Sequence, residues 1–139
     1  MDRVRLFGWI YFVGFMLIVA LDFVPAFIDA EGRLFGLFTL DLYDNSLHAA
    51  SGLWAAAAAA WSHDAARAYF RLFGPLYFLD GVMGLMVGSG YLDGGIFLYG
   101  MLDLPLMIRF LANLPHLLIG GVAIWVGYRL ARRREAAAG

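Results

Sequence analysis

Four stretches of the chain, roughly 6–28, 43–61, 70–89 and 110–130, are almost continuously apolar, and polar residues gather between them. A bilayer core takes about 20 apolar residues per helix, so each stretch is long enough to cross a membrane. The second is the weakest, because its alanines are only mildly hydrophobic and it carries His48. The pattern also repeats. Arg5-Leu6-Phe7-Gly8-Trp9-Ile10-Tyr11-Phe12 returns 66 residues later as Arg71-Leu72-Phe73-Gly74-Pro75-Leu76-Tyr77-Phe78, with six of eight positions identical. Asn45-x-x-His48-x-x-x-Gly52 returns 68 residues later as Asn113-x-x-His116-x-x-x-Gly120. These features predict an all-α membrane protein, a single domain in which two parallel two-helix repeats (about 5–61 and about 71–131) form a four-transmembrane-helix bundle.

Composition supports the membrane reading. Of 139 residues, 63% are hydrophobic and 15% charged, with mean hydropathy +0.75; a soluble domain is about half apolar and a quarter charged. The absence of cysteine excludes disulfides, thiolate metal sites and cysteine nucleophiles, and the absence of lysine excludes Schiff-base chemistry. The net charge of −1 hides a strong asymmetry. Arg3, Arg5, Arg67, Arg71, Arg129, Arg132, Arg133 and Arg134 lie at the termini and in the middle connection. The other two connections hold Arg33 and Arg109 among Asp29, Glu31, Asp41, Asp44, Asp93 and Asp103. By the positive-inside rule both termini are cytoplasmic. The first stretch reads as a retained helix, being too long for a signal peptide and containing Asp22. The Arg132–Arg134 run suits an anchor at an anionic leaflet, and the basic surface is too small for a nucleic-acid partner.

The chemistry concentrates on few residues. Asn45 and Asn113 suit helix N-caps, with His48 and His116 three residues on and Pro115 in a first turn. Gly52 and Gly120 follow on the same helical face, which marks close helix packing and turns both histidines inward. One reading makes each Asn–His pair a buried cap; the other has the two imidazoles converge on haem, a metal or a quinone headgroup. Asp80 lies within the third helix, where an aspartate costs about 2.5–3.5 kcal/mol on insertion scales. It is either a proton-carrying carboxyl or a neutral one hydrogen-bonded internally. Gly84-x-x-x-Gly88 is a helix-packing motif beside it. Asp22 either pairs with His48, His116 or Arg109 or sits at the interface, and His63 is expected to be solvated. No nucleotide-binding, nucleophile-elbow or zinc-protease signature is present.

On Leu34-Phe35-Gly36-Leu37-Phe38 leading into Asn45-x-x-His48-x-x-x-Gly52-Leu53, on Gly74 with Tyr77, and on Asn113-x-x-His116-x-x-x-Gly120, the chain resembles domain of unknown function family 4383. Phe23-Val24-Pro25 is similar to the end of that family's first helix. The resemblance implies a small four-helix protein of the bacterial plasma membrane and no particular activity. Family members often carry a further histidine where this chain has Asp44, which counts against a four-histidine ligand set. The first functional expectation is therefore a structural or accessory subunit of a membrane complex, or a homo-oligomer, in the lipid bilayer, with no catalytic residues assigned. The alternative is a haem-, metal- or quinone-binding protein using His48 and His116. A further alternative is a small proton-coupled transporter working through Asp80.

Overall fold

The computed structural model describes residues 2–131, so the Arg132–Arg134 run lies outside the described residues. The described chain is helical: α1 (Arg3–Asp22), α2 (Leu42–Trp61), α3 (His63–Val87), the short α4 (Gly95–Tyr99) and α5 (Leu106–Trp125), which continues as a π turn over Val126–Leu130. Among the described residues the only β pairing is two isolated bridges, Ile28 with Leu34 and Leu34 with Phe38. Three helices are long and apolar enough to cross a membrane: α1, α3, and α5 with its π turn. α2 is 20 residues long but falls short of that hydropathy, as its alanine run suggests.

Each boundary has a local cause. The Asp2 carboxylate caps α1 by accepting from the Arg5 amide. α1 stops at Asp22, short of the expected 28, because Pro25 opens a separate 3₁₀ turn, Pro25–Phe27. α2 begins in a capping box, with Asp41 accepting from the Tyr43 and Asp44 amides while Asp44 accepts from the Asp41 amide. Ser62 alone separates α2 from α3, ending one helix and capping the next through Ala65. Pro75 lies inside α3 and cannot donate to Arg71; the freed carbonyl accepts from the Tyr128 hydroxyl at 3.3 Å. Gly88, in the left-handed region at φ 84°, terminates α3.

Packing is closest within two hairpins, α1 with α2 and α3 with α5, joined mainly where α2 meets α3. The backbones touch at glycines. A Cβ on Gly8 would lie 2.7 Å from the Ala59 Cβ, and one on Gly52 would lie 2.9 Å from the Met16 Cε. A Cβ on Gly74 would lie 2.7 Å from the Ile124 nitrogen, and one on Gly120 would lie 2.5 Å from the Phe78 nitrogen. Small residues that admit such contact are what holds membrane helices together, since lipid is as apolar as their side chains. Many large apolar residues, including Leu6, Ile10, Val13 and Leu17 of α1 and Leu72, Leu76 and Leu79 of α3, face outward.

Both long connections lie at one end of the bundle (the loop end), opposite Asp2 and Ser62. They fold back over it. Ser89 donates to the Gly100 carbonyl and the Leu102 amide to the Val87 carbonyl, while the Tyr99 hydroxyl donates to Asp41 at 2.7 Å, fastening one connection to the other. Arg109, now in the first turn of α5, donates to the Met86 and Leu104 carbonyls.

Gly120→Leu should destabilise the protein by about 1–3 kcal/mol or more, because a side chain there meets backbone that cannot yield locally. Gly14→Leu, at a position with nothing within 4 Å of its missing Cβ, should leave stability unchanged. Thermal unfolding in detergent measures both; equal effects would refute backbone contact at Gly120.

Candidate functional site

Tyr69, Phe73 and Tyr77 recur every four residues on one face of α3 and form a stacked column. Tyr69 and Phe73 rings lie 5.0 Å apart at 10°, and Phe73 and Tyr77 rings 4.8 Å apart at 24°. His116 of α5 extends the column, its ring 4.6 Å from Tyr77 at 25°. It fits there because residue 81 is glycine: a Cβ on Gly81 would lie 2.8 Å from the His116 Cβ. His48 of α2 reaches the same tyrosine from the other side, Nε2 3.2 Å from the Tyr77 hydroxyl, and stacks on Phe15 at 5.7 Å. The two imidazoles are thus neighbours, with ring centroids 6.5 Å apart.

Neither histidine follows a capping asparagine. Asp41 and Pro105 hold the N-cap positions, Asn45 is inside the first turns of α2, and Asn113, Pro115 and His116 lie two turns or more into α5. The cap expectation fails because the apolar and acidic residues before each asparagine also join the helix. Asn45 instead donates to the Asp22 carboxylate at 2.7 Å, so Asp22 pairs with none of the partners expected from sequence. Asn113 donates to the Arg109 carbonyl and presses against Gly84. Gly88 is the terminator of α3 and not part of its packing face, although a Cβ there would meet the Leu102 carbonyl at 2.5 Å. His63 lies 3.1 Å from the Asp2 carboxylate at the opposite end.

Asp80 is buried, with 4% of its surface exposed, and sits about 10 Å from the loop end of α3. The segment after Gly88 dips to meet it: one carboxylate oxygen accepts from the Tyr91 amide at 2.6 Å and the Leu92 amide at 2.9 Å. The other lies 3.6 Å from His116 Nε2. Four groups therefore run in sequence, His48, Tyr77, His116 and Asp80, the last fixed by backbone donors.

A cavity of ≈180 Å³ adjoins this row. His48, Tyr77 and His116 line its polar end, and Ile18, Ile119 and Leu34 are among its apolar walls. A second cavity of ≈370 Å³ opens at the loop end around Asp41, Asp44, Asp93 and Tyr99. His116 lines both. At the loop-end cavity, burial opposes ionisation of Asp41, but the Tyr99 hydroxyl and the Asp44 and Tyr43 amides outweigh it and hold the carboxyl below its usual range. The same bond, with the Asp41 charge beside it, pushes the Tyr99 phenol up. Among the described residues, no group of three or more His, Asp or Glu side chains is placed to hold a metal ion.

Residues 4–101 match the family described as Domain of unknown function (DUF4383). The chain belongs to this family. The match contains His48, Tyr77 and Asp80 and ends before α5, so His116 lies outside it. No curated protein and no solved structure matches the chain.

The importance of Tyr77 was available in sequence, since Arg-Leu-Phe-Gly-x-x-Tyr-Phe keeps its tyrosine in both copies. The Tyr91 and Leu92 amides left no such trace, because backbone donors have no side-chain signature. Asp80→Ala should strip both amides of their acceptor, at about 1–3 kcal/mol for each one left unsatisfied. Asp80→Asn retains an acceptor and should lose less. Hydrogen exchange over residues 88–92 with thermal unfolding measures this; unchanged protection in Asp80→Ala would contradict the contact.

Proposed function

We propose that this membrane protein binds a small flat ring bearing hydrogen-bonding oxygens, of the quinone-headgroup class, against His48, Tyr77 and His116. The observation that carries the reading is that both histidines line an otherwise apolar cavity while each keeps a buried Nδ1 without a hydrogen-bond partner. Buried polar atoms are satisfied in the great majority of cases, and an orphan costs about 1–3 kcal/mol. A ligand carbonyl or hydroxyl would offset that cost, and ring faces would meet apolar walls.

Haem fits less well. The cavity is below the about 300–1,000 Å³ usual for larger ligands, while His48 Nε2 is engaged by Tyr77 and His116 Nε2 faces Asp80. Among the described residues a metal would have two imidazoles and no third ligand in place. The Asp80 carboxylate is tied to two backbone amides, which favours an anchoring role over that of a mobile proton carrier.

The proposed setting is four membrane-crossing helices in two parallel repeats, in a bacterial plasma membrane with cytoplasmic termini. Equivalent contacts recur at the repeat offsets. Arg5 Nε donates to the Ala59 carbonyl and Arg71 Nε to the Gly127 carbonyl. Gly8 meets Ala55 as Gly74 meets Ala123, and Gly52 meets the Phe12 carbonyl as Gly120 meets Phe78. At ~1.5 Å per residue, the 20-residue α2 spans about 30 Å, enough for a bilayer core, with Leu53 and Trp54 turned outward. The arginine bias then places the cavity in the outer half of the membrane.

A short-chain benzoquinone titrated into the purified full chain, followed by calorimetry, tests the binding. Saturable binding should weaken at least tenfold in His48→Ala and in His116→Ala, about 1.4 kcal/mol each, and be unchanged in the outward-facing Leu53→Ala. Absence of saturable binding, or indifference to both histidines, would return the protein to the accessory-subunit reading.

A further inference from the structure

The α1 and α5 helices, unlike the partners within each hairpin, are not packed along their lengths; α1 meets mainly the π turn beyond α5. Between them lies a groove of ≈290 Å³. Its walls are aliphatic and aromatic, among them Ile10, Ile18, Leu118 and Val122. Its one hydroxyl, on Tyr11, is spent on the Ile119 carbonyl. Gly14 lines this groove, and it differs from the packing glycines: nothing lies within 4 Å of the position its Cβ would take, whereas Gly8, Gly52, Gly74 and Gly120 each face another helix at 2.9 Å or less. Gly14 therefore does not bring helices together; it leaves space.

Two residues of the groove wall, Ile18 and Ile119, also line the cavity that ends at His48, Tyr77 and His116. The groove and the cavity thus share a wall on each side, one from α1 and one from α5. The outer rim of the groove carries exposed Ile10 and Leu118, which in a bilayer face acyl chains. An apolar groove that shares two side chains with a cavity bearing imidazoles and a phenol suits an amphiphile and not a water-soluble solute.

We infer that the α1–α5 groove holds the hydrocarbon tail of the ligand whose ring sits at His48 and His116, and is the lateral path by which that ligand enters from the membrane. This rests on the quinone-headgroup reading above and extends it to a substrate class: a ring with a long isoprenoid or alkyl chain. Ile18 and Ile119, at the junction, are the positions past which the ring moves. No polar residue is needed along the groove, because a tail leaving lipid for an apolar wall exchanges like for like; its contribution comes from fit and from restriction of the ring.

The test compares two probes with one headgroup, a benzoquinone with a decyl tail and the same ring without it, on wild-type protein and on Gly14→Phe. Gly14→Phe fills open space, and its thermal unfolding is measured alongside to show that it folds. Wild type should bind the tailed probe at least tenfold tighter than the tailless one. Gly14→Phe should abolish that advantage while leaving the affinity for the tailless probe within about twofold. An undiminished advantage in Gly14→Phe, or equal loss for both probes, would overturn the groove assignment while leaving the headgroup site standing. Failure of both probes to bind wild type would remove the headgroup site and the groove assignment together.

Discussion

At Gly120 and Gly81 the backbones of α5 and α3 approach so closely that a single methyl group on either glycine would collide with the other helix. That approach governs the rest. It sets His116 directly on the Tyr77 ring and within reach of Asp80. The partner hairpin uses the same device at Gly8 and Gly52, which seats His48 beside Phe15. In a bilayer no hydrophobic force presses helices together, so the fit of these contacts and the stacked column of α3 carry the association, each aromatic pair adding about 0.5–1.5 kcal/mol.

A packed column of rings tolerates little error, and this explains the loop end. Asp80 would be costly in that environment by itself, yet two amides of the segment after Gly88 descend to meet it. The carboxylate is a staple that pulls the second connection onto the bundle, and the Tyr99–Asp41 bond joins it to the first. The connections thereby fold over the loop end, where the larger cavity reaches His116, while the groove between α1 and α5 shares Ile18 and Ile119 with the cavity beside the row.

Much of this architecture was legible in the chain. The all-helical class and three helices long and apolar enough to cross a membrane follow from the hydrophobic runs, and the spacing marks small residues such as Gly52 and Gly120 that lie against another helix. The helix starts were not legible. Asn45 and Asn113 look like caps, but Asp41 and Pro105 lie upstream and the intervening residues are equally able to be helical, so local propensity could not choose. Nor could Asp22–Asn45 be found, since it joins two helices through a rotation about their axes that sequence does not specify. Gly14 shows the limit most clearly: in sequence it is another helix glycine, and only the open space beside it separates it from the others.

The central claim is that the unpartnered nitrogens of His48 and His116 exist for a ligand. The chain has only three histidines, and His63 lies at the far end, so ¹⁵N resonances of histidine-labelled protein in bilayers report the site with an internal reference. On addition of a tailed benzoquinone, the Nδ1 resonance of His48 or His116 should move to the position of a hydrogen-bonded nitrogen while those of His63 stay fixed. Binding that leaves both Nδ1 resonances where they were would contradict the account.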